Sequence, residues 1–180
     1  MARNKKKKNE IWEWGKAIII AVLLAFIIRT FVFAPIVVDG ESMESTLLNQ
    51  DRMIVNKVNY KISEPKRFDI VVFHAPEGKD YIKRVIGLPG ETVEYKNDVL
   101  YIDGKAYKEP YLEQNKEEVI PPLTGDFTAT VPEGEVFVMG DNRRNSRDSR
   151  DPSVGTVSFD KIVGTTSVVY WPVSEAKIVE

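Results

Sequence analysis

Positions 14–33 are largely apolar, and as a helix these twenty residues reach about 30 Å, the thickness of a bilayer's hydrocarbon core. No other stretch constrains the chain so sharply. Lys16 and Arg29 interrupt it, so each must snorkel toward an interface or the span must tilt. The unbroken apolar run, 17–28, is only 12 residues long, which also suits the core of a cleavable signal peptide. Val32-Phe33-Ala34 has the small-residue pattern that precedes such a cleavage point. Pro35 follows it, however, removing an N–H and constraining the residue before the bond. The expectation is an uncleaved anchor over residues 14–34.

Arg3, Lys5, Lys6, Lys7 and Lys8 put five positive charges on residues 1–9 with no acid among them, while the whole chain carries −2. Alone, such a run suits a nucleic-acid tail. Beside an apolar span it reads as a cytoplasmic flank over residues 1–13, which places residues 35–180 on the other side of the membrane. The expected partner is the lipid bilayer, not nucleic acid.

At 180 residues the chain has room for one domain and an appendage. It contains no cysteine, which excludes disulfides, thiolate nucleophiles and Cys-based zinc sites, and its only histidine is His74. A zinc hydrolase of the His-Glu-x-x-His type needs two histidines, and a Ser-His-Asp hydrolase would have to use His74. That residue closes the run Ile70-Val71-Val72-Phe73 and reads as a strand-end surface position. Hydrolytic chemistry must find its base elsewhere, and lysine is the main remaining type.

Past residue 35 the pattern is one of strands. Met53-Ile54-Val55-Asn56-Lys57-Val58 and Asp69-Ile70-Val71-Val72-Phe73 are β-rich and separated by a connection containing Pro65. A further strand from Asp80 ends in the turn Gly87-Leu88-Pro89-Gly90. Residues 92–95, 100–102 and 105–107 are joined by the hairpin signals Asn97-Asp98 and Asp103-Gly104. Residues 108–130, rich in proline and charge, read as a long excursion, so 92–134 is expected to hold a small inserted subdomain. Strands return at 135–139, near 162–163 and at 167–171. The expected fold class is mainly β, an antiparallel domain with one N-terminal transmembrane helix and a core from Val55, Val71, Val72, Ile86, Val136, Val138 and Val169.

Three stretches carry chemistry-bearing residues. Gly40-Glu41-Ser42-Met43-Glu44-Ser45-Thr46-Leu47 follows closely on the anchor, and by itself it reads as an ordinary turn. Ser42 is eight positions on from Ala34, at most about 29 Å of extended chain, so Ser42 stays at the membrane surface. In the strand containing Lys83, alternation puts Tyr81, Lys83 and Val85 on one face and Ile82, Arg84 and Ile86 on the other. Either cation could be a solvated surface charge. A lysine acts as a base only when neutral, and burial lowers its pKa where an arginine would stay charged. Lys83, among Ile82, Val85 and Ile86, is the lysine best placed for that. The loop from Gly140 to Arg150 is dense in polar residues yet follows a core strand directly. Asp148 and Arg150 can pair there, and Ser146 can orient a lysine amine.

Taken together these stretches resemble the type I signal peptidases, membrane-anchored Ser/Lys endopeptidases that release exported proteins from their signal peptides. The likeness lies in the order of the anchor, Gly40-Glu41-Ser42-Met43 with Thr46-Leu47, Asp69-Ile70-Val71-Val72, the stretch from Tyr81 to Glu91, and Gly140-Asp141-Asn142-Arg143 with Asn145-Ser146 and Asp148-Ser149-Arg150. The compact length and single anchor look most like the Bacillus-type members. The resemblance implies Ser42 as nucleophile, Lys83 as general base, and Ser146 as the serine that orients the lysine. It implies supporting roles for Asp141, Asp148, Arg150 and Arg84. It also implies substrates that are secretory preproteins with small residues at −1 and −3, bound as an added strand, and no metal or organic cofactor.

The chain departs from that pattern at three places. Ser45 stands where the family commonly has proline, Phe68 where a glycine usually precedes the Asp-Ile-Val strand, and Gly40 where some members have a serine that donates to the oxyanion. With Gly40 lacking a hydroxyl, the Ser42 backbone N–H is the more secure donor. Two rival readings are an inactive membrane-tethered β-domain that binds a partner, and a self-cleaving regulatory protease with the same dyad. The second needs a DNA-binding module, and this chain has a bilayer segment in its place.

Overall fold

The computed structural model describes residues 2–58 and 64–179. A helix, α1 (Ala2–Ile27), runs into a π-helical turn at Ile28–Val32 and then directly into a strand. Across the helix and this turn, Trp12–Val32 is 21 residues long with a mean hydropathy of 2.2, and none of that span is buried against the rest of the chain. Its apolar surface is long enough to cross a bilayer. The side chains of Arg3 and the four lysines lie outside the described residues.

The remainder is β structure. In chain order the strands are β1 (Phe33–Val37), β2 (Arg52–Asn56), β3 (Ile70–His74), β4 (Asp80–Gly87), β5 (Thr92–Lys96), β6 (Val99–Ile102), β7 (Lys105–Tyr107), β8 (Phe127–Thr130), β9 (Glu135–Met139), β10 (Val157–Ser158), β11 (Ile162–Trp171) and β12 (Lys177–Ile178). One sheet has the order β1-β2-β11-β3-β4-β9-β10, with β12 added to β11, and a second has the order β7-β6-β5-β8. All pairings are antiparallel.

Two strands differ from expectation. Residues 33–34, expected in the anchor, belong to β1, where Ala34 pairs with Val55 and fixes the helix end to the sheet. The two strands expected near 162 and 167 are one, β11, whose register shifts between Ile162 and Gly164 and again between Thr166 and Val168. Gly164 broke the β pattern in the sequence. It is required because a Cβ there would overlap the Asn56 carbonyl on the neighbouring strand.

The excursion at 108–130 is built from recognisable pieces. A 3-10 turn (Pro110–Leu112) leads into a short helix, α2 (Glu113–Glu117), and the chain returns as β8 beside β5. Leu112 and Leu123 are buried under it, and the Asp98 carboxylate accepts from the backbone N–H groups of Leu123 and Thr124. Both hairpin signals form tight turns with positive φ, at Asn97 and Asp98 and at Asp103 and Gly104.

All seven expected core residues are buried, and five of them, all but Val55 and Val72, are divided among three clusters. One is centred on Val71, Phe73, Val85 and Val138, and a second, on the other side of β4, holds Ile86, Tyr95, Phe137 and Met139. The third packs Met43 and Leu47 against Met53, Ile70 and Val169. That third cluster matters for function. It sinks Met43 and Leu47, both of which follow Ser42, into the core, each contributing about 2 kcal/mol of burial, so the β1–β2 connection is a rigid shelf.

Candidate active site

Ser42 lies on the connection between β1 and β2, whose ends are closed by Val38 N donating to Asp51 O at 2.8 Å and Gln50 N donating to Val38 O at 2.9 Å. Gly40, two residues ahead of Ser42, adopts φ +106, a conformation that favours glycine. Lys83 arrives from β4, where it sits opposite Val71 of β3. Its Nζ lies 2.7 Å from Ser42 Oγ and 2.9 Å from the Ile82 carbonyl, which accepts from it, and it stands 5.0 Å from the centre of the Tyr81 ring.

Lys83 is only 3% exposed. Burial, which penalises the charged ammonium, pushes its pKa down to about 8, against the opposing pull of the Asp148 and Asp141 carboxylates. While charged the amine donates to Ser42 Oγ. Once neutral, its lone pair can accept the hydroxyl proton instead.

Strand alternation sends the two adjacent cations apart, yet neither is solvated. Arg84 and Asp141 are both 0% exposed. The guanidinium meets the carboxylate through Nε at 3.0 Å and through a second nitrogen at 2.8 Å, and also donates to Phe68 O at 2.9 Å. It stacks on Tyr111 at 3.9 Å from the ring centre. Asp141 in turn accepts from Thr46 Oγ1 at 2.6 Å, so the ion pair reaches the Ser42 shelf. The register makes this possible. Arg84 pairs with Met139, the last residue of β9, and the 140–150 loop starts beside it.

That loop is sutured to the Ser42 segment. Asn142 N donates to Ser42 O at 3.1 Å and Asn142 Nδ2 to Glu41 O at 3.1 Å. Asp148 is buried. Burial works to raise its pKa, but the bidentate Arg150 guanidinium and the Gly140 N–H hold it below the usual carboxylate value. The Asp148–Arg150 pair shapes the loop. A second buried pair, Arg143 with Glu109 at 2.6 Å, ties the same loop to the smaller sheet.

Gly140 is the closest approach in the site, since a Cβ there would overlap both the Ser42 carbonyl and the Ser146 side chain. Gly140→Ala should therefore push the two loops apart and cut processing at least tenfold with the fold retained, which steady-state cleavage and circular dichroism together would check.

Ser146, expected to orient the lysine, packs against Gly140 at the start of its own loop. Its Oγ is buried, and its hydroxyl is among the groups that hold the Asp148 carboxylate low, while the two hydrogen bonds of the Lys83 amine go to Ser42 and Ile82. Packing against Gly140 puts Ser146 beside the Ser42 backbone. His74 sits exposed at the end of β3, hydrogen-bonded to Asp80 and apart from Ser42 and Lys83. The sequence reading missed Glu109, Tyr111 and Asn115, all in the excursion, where no periodicity marks them.

An open groove of about 660 Å³ borders Ser42 and Lys83, with Ile36, Val38, Met43 and Ile82 on its apolar side. A pocket of that size accepts a short peptide segment.

The family described as Signal peptidase, peptidase S26, matches residues 11–171. The chain is 53% identical over 179 residues to Signal peptidase I T of Bacillus subtilis (strain 168), covering 96% of this chain and 92% of that relative. It is 54% identical over 174 residues to a Signal peptidase I of Bacillus amyloliquefaciens, covering 93% and 89%. The crystal structure of a signal peptidase I from Enterococcus faecalis V583 is 46% identical, with a TM-score of 0.55, over 58% of this chain and 97% of that one. The apolar N-terminal helix fits membrane anchoring. The chain belongs to the signal peptidase family, peptidase S26.

Proposed function

We propose that this chain removes signal peptides from exported preproteins, with Ser42 as nucleophile and Lys83 as its base. Family membership supplies the reaction class, peptide-bond hydrolysis by a serine protease. The residue roles rest on one observation, a buried Lys83 amine 2.7 Å from the Ser42 hydroxyl with its pKa near 8.

In the neutral state the Lys83 lone pair takes the hydroxyl proton as Ser42 Oγ attacks the scissile carbonyl. The Ser42 backbone N–H is the proposed donor to the resulting oxyanion. The Lys83 ammonium then protonates the leaving amine, which departs as the mature protein's N-terminus, and the signal peptide stays as an ester on Oγ. Returned to neutrality, Lys83 removes a proton from water, whose oxygen attacks the ester and frees the peptide and Ser42. Asp141, Arg84, Asp148 and Arg150 hold the two loops and touch no reacting atom.

The substrate lies in the groove as an added strand, and likeness to the family implies small residues at −1 and −3. The N-terminus lies in the cytoplasm and residues 35–180 on the outer face of the cell membrane, because the basic flank precedes the span. No feature of the site favours an inactive binding module.

The deprotonated amine is the active form, so kcat/KM should rise with pH along a limb centred at about 8 and level off above it. At pH 7 about a tenth of the enzyme carries a neutral lysine. Cleavage of a model preprotein by the detergent-solubilised protein, wild type against Lys83→Ala, tests the assignment. A profile flat from pH 6 to 10, or full cleavage by the variant, would refute it.

A further inference from the structure

Asn115, on α2 of the excursion, is some seventy residues from the nucleophile in sequence, yet its side chain closes on the Ser42 shelf. Its Oδ1 accepts from Ser45 N at 3.3 Å and from Ser45 Oγ at 2.9 Å. Its Nδ2 donates to Glu44 O at 2.8 Å and to Asp141 O at 3.2 Å. The amide orientation is forced, since a peptide N–H can only donate and a carbonyl can only accept. Two donors and two lone pairs are all engaged, which leaves this side chain no capacity to bind a ligand.

The three segments it joins are the backbone just after Ser42, the peptide that begins the 140–150 loop, and the insert that carries α2. Met43 and Leu47 are anchored in the core and Thr46 is held by Asp141, so among these neighbours it is the 44–45 peptide that Asn115 settles. Ser45 gives both its N–H and its hydroxyl to that contact. A proline at this position could give neither.

We propose that Asn115 is a positioning residue, which sets the Glu44–Ser45 backbone against Asp141 and thereby keeps Ser42 Oγ in line with Lys83 Nζ. This rests on the assignment of Ser42 and Lys83 as the reacting pair. Hydrogen-bonding geometry at Ser42 is worth large factors in rate, because an error of about 1 Å in such a pair costs on the order of a hundredfold. Binding of the substrate does not pass through Asn115, so the loss falls on kcat and not on KM.

The test is preprotein cleavage by the full-length protein in detergent, with kcat expressed per Ser42 acylated at the end point by a serine-reactive penem. Asn115→Ala should lower kcat at least tenfold, leave KM within twofold and keep the pH limb at about 8, because Lys83 stays buried. Ser45→Ala, which loses only the hydroxyl contact, should lower kcat about threefold. The double variant should match Asn115→Ala within twofold, since the Ser45 hydroxyl then has no acceptor left to lose. If Asn115→Ala does not fold, Asn115→Asp serves instead, keeping the acceptor while losing both donors, with kcat expected about fivefold down. An unchanged kcat in either Asn115 variant, a loss confined to KM, or losses that multiply in the double variant would overturn the proposal. Ser42→Ala and Lys83→Ala run alongside. Their full activity would sink the dyad itself, whereas their inactivity beside an unaffected Asn115→Ala sinks only the positioning role.

Discussion

Lys83→Met is expected to lower preprotein processing by about four orders of magnitude or more, and at the same time to make the folded protein more stable at neutral pH. Ser42→Ala should be equally inactive, because either change removes the only proton path between the attacking oxygen and the amine. The stability effect follows from burial. Unfolded, the lysine has its ordinary pKa of 10.5, while folded it is held at about 8, so the unfolded chain binds more protons between those values. Stability contributed by Lys83 is therefore greatest above pH 10.5 and is lost as pH falls toward 8. The full swing is about 3 kcal/mol. Methionine fills the same space without titrating. Set against the hydrogen bond lost at Ile82 O, a net gain of about 2 kcal/mol is expected at pH 7, vanishing near pH 10.5. Urea melts of wild type and variant at pH 7 and pH 10 would check this. A variant that still cleaves, or a stability difference independent of pH, would contradict it. The fold thus accepts a destabilised buried ammonium, which leaves part of the proposed base neutral near pH 8.

Arg84→Ala is expected to lower stability by about 3–5 kcal/mol, which for a chain of this length shifts the melting temperature by roughly 10 °C. The reason is the charge left behind. Asp141 is fully buried, and without the guanidinium it must either ionise without its buried partner cation or take up a proton. Tyr111 loses the cation stacked on it and the Phe68 carbonyl loses a donor. Processing falls as well, because Thr46 is held by the same carboxylate. By contrast Arg147→Ala, which removes a half-exposed contact to Glu77, should change stability by less than about 1 kcal/mol. Thermal melts of the two variants side by side separate the cases. Equal shifts would mean that the buried pair is not what ties β4 to the 140–150 loop.

Much of the fold was legible because local pattern and tertiary outcome coincide. Alternation over residues 80–87 predicted that Lys83 and Arg84 diverge, and they do. The Asn97-Asp98 and Asp103-Gly104 turns appear where their preference for positive φ puts them. The excursion was not legible. Glu113-Gln114-Asn115-Lys116-Glu117 has no apolar stripe to announce a helix, and it is held by Leu112 beneath it and by hydrogen bonds to distant loops. Ser146 was singled out by its motif position, but its close packing against Gly140 was not legible, because it depends on how the 140–150 loop folds back on itself.

By itself the sequence determined that a bilayer-length apolar helix precedes a β domain, that the base for any hydrolysis is not a cysteine and has one histidine at most to draw on, and that Ser42 and Lys83 stand in the family's motifs. Residue types and spacing carry those facts, because hydropathy and strand alternation are properties of neighbours along the chain. Only the tertiary structure decided that the amine is buried 2.7 Å from the hydroxyl, that Arg84 is fully buried against Asp141, and that Asn115 reaches back to Ser45. A pKa near 8 comes from the atoms packed around a group, and those come from β strands and loops far apart in the chain.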